Sequence, residues 1–188
     1  VALCTEQLCD PAASSGCCDT AMVVLAGANA CHGADQWRTT VSRLAVTLLA
    51  MISSRLPVAP EDPAGALSAS KDTLALTPLD LPPITLDQPL QRSAVFMQRF
   101  CALCSALTAA ILQGPRGDMV DLPLPLLLQV FSDTLTRDVP AATLAGMGAH
   151  TDELSPLAFW TVLPELQRSA CGVLRALLST LQKQLLPW

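Results

Sequence analysis

The hydrophobic pattern is clearest in the last third of the chain, Asp121 to Trp188. From Leu163 onward, apolar residues recur at spacings of three and four, which places them on one face of an α-helix. These residues are Leu163, Leu166, Ala170, Val173, Leu174, Leu177, Leu178, Leu181, Leu185 and Leu186. Pro164 suits the first turn of this helix, and Pro187 ends the run. The pattern predicts a short helix over Ser155–Val162 and a long helix after Pro164.

Three upstream stretches show the same periodicity. The first runs from Trp37 to Leu56, and Gly33 and Asp35 before it are typical of a chain break and an N-cap. The second covers Ser93 to Leu112. The third covers Leu124 to Arg137. Each predicts an amphipathic helix that needs neighbours to cover its apolar face.

The segments between and before these helices have a different character. Residues 57–91 hold seven of the fifteen prolines, and their leucines keep no helical period. We predict a long insertion there, partly extended and partly mobile. Residues 1–18 are weakly patterned, whereas the Ala-rich stretch Asp19–Ala30 predicts a short buried helix.

Composition favours an all-α fold. Hydrophobic residues make up 51% of the 188, but Leu and Ala dominate and Tyr is absent. Long helices without intervening strands predict antiparallel pairs stacked side by side, as in an irregular armadillo or HEAT-like α-solenoid. No repeat of fixed period is present, so a helical bundle is the alternative. We expect residues 1–188 to form part of one helical-repeat domain.

Charge narrows the classes of partner. Only 14% of residues are charged, which indicates that more than one face is covered by protein. The net charge of −5 comes without a basic stripe, so we expect no direct nucleic-acid binding by this segment. No uninterrupted apolar run reaches the roughly 20 residues of a membrane span. The chain starts at Val1 without a charged-then-apolar leader, so we expect a mature product, an expressed fragment or an internal segment.

The eight cysteines favour reduced, intracellular thiols over a disulfide framework, because the chain is long enough to build a core. Cys101 and Cys104 form a CxxC motif in the middle of a predicted helix, where two buried thiols are more typical than a zinc or redox site. Near the start of the chain, a metal site with four ligands remains possible. Its ligands would be Cys17, Cys18, Cys31 and His32.

Catalytic patterns are missing from the sequence. The only histidines are His32 and His150, and neither GxSxG nor GxxxxGK[ST] occurs. The carboxylate pairs Glu61-Asp62 and Asp152-Glu153 fall in predicted loops, where solvated charges are usual. We therefore expect a protein that is not an enzyme, with no catalytic residue, cofactor or metal.

Two LxxLL sequences are candidate partner-binding ridges, because leucines at i, i+3 and i+4 lie on one side of a helix. Core packing is the ordinary explanation of the same spacing in Leu-rich helices. The leucines are Leu124, Leu127 and Leu128 in the first and Leu174, Leu177 and Leu178 in the second.

An ordered series of residues resembles the N-terminal helical-repeat segment of the proline-, glutamic-acid- and leucine-rich protein family. The series spans about Trp37 to Trp188, and the family also has a variable loop at the position of residues 57–91. It comprises Trp37, Leu44–Leu48, Arg99-Phe100, Leu103, Leu107, Val120–Pro123, Leu127 or Leu128, Thr134-Leu135, Leu163-Pro164, Leu174–Leu178 and Leu185–Trp188. The family's proline-rich region and Glu-rich tail are absent from this chain.

The resemblance implies a scaffold subunit of the Rix-type complex that matures the large ribosomal subunit and processes rRNA. Its expected partners are a WD40-propeller subunit, a second helical-repeat subunit and the pre-ribosomal particle, and self-association into a homodimer is an open alternative. The expected location is the nucleus, in nucleolus and nucleoplasm. Family members are also described as transcriptional coregulators of steroid receptors.

Two other classes of function stay open. One is a secreted helical-bundle ligand of cytokine type, held by disulfides among the eight cysteines. The other is a thiol or metal enzyme that uses Cys101 and Cys104. The free-thiol count separates the first from the scaffold, and bound zinc or a lowered thiol pKa would indicate the second.

Overall fold

In the computed structural model, the described residues are 33–55, 77–79, 81, 84, 88–114, 122–136 and 156–185. This part of the chain is all-α, with no strand among the described residues. Its helices are α1, α2, α3 and α4, with the bounds Ala34–Arg55, Pro89–Leu112, Leu124–Leu135 and Pro156–Leu185. The predicted fold class is thus confirmed at the level of all-α.

The helices pack in a ring whose order differs from their order in the chain. Helix α2 packs against α1 and most extensively against α4, and α3 packs against the same two helices. The remaining pairs, α1 with α4 and α2 with α3, lie diagonally and share little contact. The order around the ring is therefore α1, α2, α4, α3.

Two contacts give the directions of the helices. Trp37, near the start of α1, contacts Ala110, near the end of α2, so these two helices are antiparallel. Ser169 of α4 contacts Cys101 of α2. Further along both helices, Gly172 lines the same groove as Thr108. Helices α2 and α4 therefore run in the same direction.

All four helices contribute to one hydrophobic core. The rings of Phe96 and Phe100 stack with centroids 6.4 Å apart. Fully burying a side chain of this size stabilises the fold by about 1.5–3 kcal/mol. The largest fully buried side chains are Val41, Leu44, Leu48, Ile52, Phe96, Phe100, Leu107, Ile111, Leu127, Leu166 and Leu177.

The C-terminal helix is continuous, which corrects the prediction of two helices separated near Pro164. Pro164 lies inside α4 and has no N–H to donate to the carbonyl of Trp160, one turn earlier. Both residues are exposed, so water can solvate the carbonyl that lacks a helical partner. Val162 and Leu163 are buried on the other side of the helix, and their packing holds the segment helical across the proline.

Other helix ends differ from prediction by a few residues. Helix α2 begins at Pro89 rather than Ser93, because proline is favoured in a first turn, so the predicted insertion ends earlier. Asp35 lies within the first turn of α1 rather than before it, where its carboxylate still faces the positive end of the helix dipole. Helix α3 ends at Leu135, two residues before the predicted end.

The last part of the predicted insertion packs against α1. Residues 77–79, 81 and 84, called the strap below, have neither helical nor strand structure. Leu79, Leu81 and Ile84 are partly buried against the core. These three apolar side chains therefore pack the strap against the fold, whereas Thr77 and Pro78 are exposed. The predicted helix over Asp19–Ala30 lies outside the described residues.

Helix α2 also has the length and composition of a membrane span, over Leu90–Leu112. Arg92 and Arg99 interrupt the apolar residues of this helix, so it does not contain the uninterrupted apolar run by which a span would be predicted from sequence. Of the most apolar 18-residue stretch of this helix, 61% is buried inside the protein, as is usual for the core helix of a helical domain.

Candidate partner-binding surface

One side of α4 is exposed along most of the helix and is called the outer face of α4 below. Its residues are spaced by three or four and lie opposite the buried stripe that contains Leu166, Ala170, Val173 and Leu177. They are Trp160, Pro164, Arg168, Cys171, Arg175, Leu178 and Gln182. Neither α2 nor α3 covers this face.

The outer face combines large apolar groups with positive charge. Trp160 is 45% exposed and Leu178 is 57% exposed. They are separated by about 27 Å along the helix axis, at 1.5 Å per residue. Arg168 and Arg175 lie between them, and Arg168 forms an ion pair with Glu165 at 3.0 Å. A complementary surface would be apolar at its ends and acidic between them.

The six leucines of the LxxLL sequences do not form two free ridges. In each sequence the first leucine is partly buried, the second is fully buried and only the third is exposed. In α3 these are Leu124, Leu127 and Leu128, and in α4 they are Leu174, Leu177 and Leu178. Leu127 and Leu177 belong to the core, so a docking role is left for Leu128 and Leu178 alone. That role remains a prediction.

A shallow groove of about 450 Å³ is lined by residues of both α2 and α4. Gly172 is on its wall, and a Cβ atom at this position would meet nothing within 4 Å. The lining is made mainly of small residues, which are Cys104, Ser105, Thr108, Ala109, Leu112, Gln113, Ser169 and Gly172. The groove exists because these side chains are too short to fill the space between the helices.

The CxxC motif lies in the middle of α2, as predicted, but of the two thiols expected to be buried only Cys104 is, and Cys101 is half-buried. Cys104 is 2% exposed, and burial raises its pKa far above the ordinary value, with a smaller contribution from Cys101. Burial is also the largest cause of the raised pKa of Cys101. The hydroxyl of Ser169 donates a 3.1 Å hydrogen bond to the Cys101 sulfur, and this bond lowers the pKa. The negative charge of Glu165 raises the pKa further. Both thiols are free and stay protonated at neutral pH, which disfavours nucleophilic chemistry and metal binding.

Several candidate chemical groups lie outside the described residues. They are Cys17, Cys18, Cys31, His32, His150, Glu61-Asp62 and Asp152-Glu153. Within the described ranges, His, Cys, Asp and Glu side chains form no group of three or more that could hold a metal.

The outer face of α4 is not among the surfaces predicted from the sequence. The signal was present, because Arg168 and Arg175 continue the spacing that starts at Trp160. The expectation of a helix break at Pro164 separated Trp160 from the residues after it.

Comparisons with known proteins return no match. No family model, no curated protein and no solved structure matches this chain.

Proposed function

We propose that this chain is a segment of a helical-repeat scaffold without catalytic activity, in which stacked helical hairpins hold a surface for protein partners. The observation that carries the proposal is the order of the helices around the core. The pairs α1–α2 and α3–α4 are each consecutive among the described helices and packed together, and the second pair stacks on the first through α1–α3 and α2–α4 contacts. Stacked hairpins are the unit from which armadillo and HEAT-like solenoids are built.

The ring order favours this arrangement over an up-and-down bundle with short connections. In an up-and-down four-helix bundle with short connections, consecutive helices are neighbours. Here α2 and α3, which are consecutive among the described helices, lie diagonally and share little contact. Helices α2 and α4 instead pack side by side in the same direction, as equivalent helices of successive repeats do.

The outer face of α4 is the part of this stack that we assign to partner binding. Its partner is a protein surface with acidic residues between apolar ones, because Arg168 and Arg175 lie between the exposed Trp160 and Leu178. Aromatic and Arg side chains are the residue types that most often dominate interface energies. Binding of this kind weakens as salt screens the arginines.

The biological setting we propose is large ribosomal subunit maturation and rRNA processing in the nucleus, with a further role as a transcriptional coregulator. It rests on the resemblance of the series Trp37 to Trp188 to the proline-, glutamic-acid- and leucine-rich protein family. The described helices cover most of that series. The proposed partners are the WD40-propeller subunit, the second helical-repeat subunit and the pre-ribosomal particle.

Affinity purification of the tagged chain from nuclear extract, followed by mass spectrometry, tests the proposal. We expect recovery of a WD40-propeller subunit together with large-subunit assembly factors. A well-folded chain that recovers none of these proteins contradicts the biological setting. In that case, thiol titration of the denatured, unreduced chain distinguishes the secreted disulfide-bonded ligand from an unassigned helical domain.

Matched variants test the assigned surface in the same purification. Leu178→Ala and Arg175→Glu should each reduce recovery of the partners, because they remove an apolar anchor or reverse a charge on the outer face. Leu90→Ala is the control, since Leu90 is 68% exposed on α2 and loses the same atoms. Recovery that is unchanged with both Leu178→Ala and Arg175→Glu would place the binding surface elsewhere on the molecule, and an equal loss with Leu90→Ala would mean that the loss is not specific to the outer face.

A further inference from the structure

The strap is held to α1 by a small set of polar contacts. The Nε atom of Arg43 donates a hydrogen bond to the carbonyl oxygen of Thr77 at 3.3 Å. The backbone N–H of Leu79 donates to Oγ1 of Thr47 at 2.9 Å. The Thr47 hydroxyl in turn donates to the carbonyl of Arg43 one turn earlier at 2.7 Å. Arg43 and Thr47 therefore act together as the polar anchor of the strap.

Thr77 combines two properties of a modification site. Thr77 and Pro78 are both exposed, and their backbone is neither helix nor strand. Thr-Pro is the dipeptide that proline-directed protein kinases modify, and such enzymes need a substrate segment that is accessible. Other threonines near the strap differ, since Thr47 is 2% exposed within α1.

We propose that Thr77 is a phosphorylation site for a proline-directed protein kinase, and that its phosphate pairs with Arg43 and fastens the strap to α1. This inference rests on the strap and α1 alone and does not depend on the proposed scaffold function. The modification would make a contact inside the fold depend on a signalling enzyme.

The chemistry is an ordinary phosphoryl transfer. The Oγ1 atom of Thr77 attacks the γ-phosphorus of ATP, and a new O–P bond forms. The bond between the γ-phosphorus and its bridging oxygen breaks, ADP leaves, and the hydroxyl proton passes to the catalytic carboxylate of the kinase. The product carries a charge of about −1.5 to −2 at neutral pH and three strong acceptor oxygens.

Arg43 is the group that determines the effect of this charge. Its guanidinium already lies against the backbone of Thr77, where a neutral carbonyl accepts its hydrogen bond. A phosphate on the same residue offers the guanidinium charge-assisted and bidentate bonds, which are stronger than bonds to a neutral acceptor. The phosphate should therefore hold the strap closer to α1.

The first experiment identifies the site. The whole chain is incubated with a purified proline-directed kinase, magnesium and ATP, and phosphorylated positions are mapped by mass spectrometry. We expect phosphate on Thr77, and its loss with Pro78→Ala, which leaves the acceptor in place. The chain has one other Ser/Thr-Pro dipeptide, Ser155-Pro156, and the extent of phosphorylation at Ser155 is compared with that at Thr77 in the same sample. Absence of phosphate from Thr77 in the unaltered chain would overturn the proposal.

The second experiment measures the contact itself by NMR hydrogen exchange at the Leu79 amide, which bonds to Thr47. We expect exchange roughly five- to tenfold slower after phosphorylation, because the charge-assisted pair makes opening of the strap less frequent. Arg43→Gln should remove this slowing while the helical circular dichroism stays unchanged. Unchanged or faster exchange in the phosphorylated chain contradicts the proposal, and so does slowing that survives in Arg43→Gln.

Discussion

The indole Nε1 of Trp37 donates a 2.7 Å hydrogen bond to the carbonyl oxygen of Ala110. That carbonyl lies in the last turn of α2, where the helix itself provides no donor for the final carbonyls. Gly114, just beyond the helix, makes room for the indole, because a Cβ there would lie 3.2 Å from Cζ2 of Trp37. One side chain at the start of α1 thus completes the hydrogen bonding at the end of α2.

Replacing Trp37 by Phe tests this relationship. The ring remains apolar and Trp37 is 3% exposed, but the buried carbonyl of Ala110 loses its donor. We expect a loss of about 1–3 kcal/mol in the free energy of unfolding, measured by urea denaturation. Trp160→Phe is the matched control on the outer face of α4 and should change the value by less than about 0.5 kcal/mol. Equal effects of the two variants would show that the hydrogen bond adds nothing.

Two glycines should respond in opposite ways to replacement by alanine. Gly33, just before α1, has φ of +94°, a region that side chains rarely adopt, so Gly33→Ala should destabilise the fold by about 1–2 kcal/mol. Gly172 lies inside α4 with open space at the Cβ position, so Gly172→Ala should stabilise it by about 1 kcal/mol. The shift in thermal midpoint checks both. A stabilising Gly33→Ala would contradict the account of this turn.

The sequence predicted the helices because their apolar spacing is a local property. Periodicity alone identified the segments around Trp37, Phe100, Leu127 and Leu174, and the helical prediction held for each. It failed at Pro164, where the intrinsic preference of proline to end a helix is outweighed by burial of Val162 and Leu163. That burial depends on neighbouring helices, which a local pattern does not reveal.

The candidate site could be predicted only in part for a related reason. Spacing marks Leu174, Leu177 and Leu178 as one ridge, but which of them face the core depends on where α2 and α3 pack. The contact of the strap with Arg43 and Thr47 also could not be predicted from the sequence. It joins residues more than 30 positions apart through polar groups, which follow no periodic pattern. Long-range packing, rather than residue type, decides both features.

Thiol labelling should distinguish the three described cysteines at neutral pH. Cys171 is exposed and should react first with iodoacetamide. Cys101 should react more slowly, because it is half-buried and its pKa is raised mainly by burial. Cys104 should react only when the fold opens. Mass spectrometry of the labelled peptides gives each rate, and labelling in denaturant is the control in which all three should react alike. Early labelling of Cys104 would contradict its burial.

Alkaline pH should weaken the fold through Cys104. Burial raises the pKa of this thiol above its ordinary value of 9.0, so the folded chain keeps a proton that the unfolded chain releases. The stabilising contribution is complete below pH 9 and is lost as pH rises toward the folded-state pKa, at about 1 kcal/mol per pH unit. Urea denaturation between about pH 8 and 10.5 measures the slope.

Cys104→Ala removes the thiol and should flatten this dependence, although a small cavity lowers the stability of the variant at every pH. The two proteins differ only in this thiol, so the difference between their slopes of unfolding free energy against pH gives the contribution of Cys104. Identical slopes would mean that the Cys104 thiol titrates alike in the folded and unfolded chains.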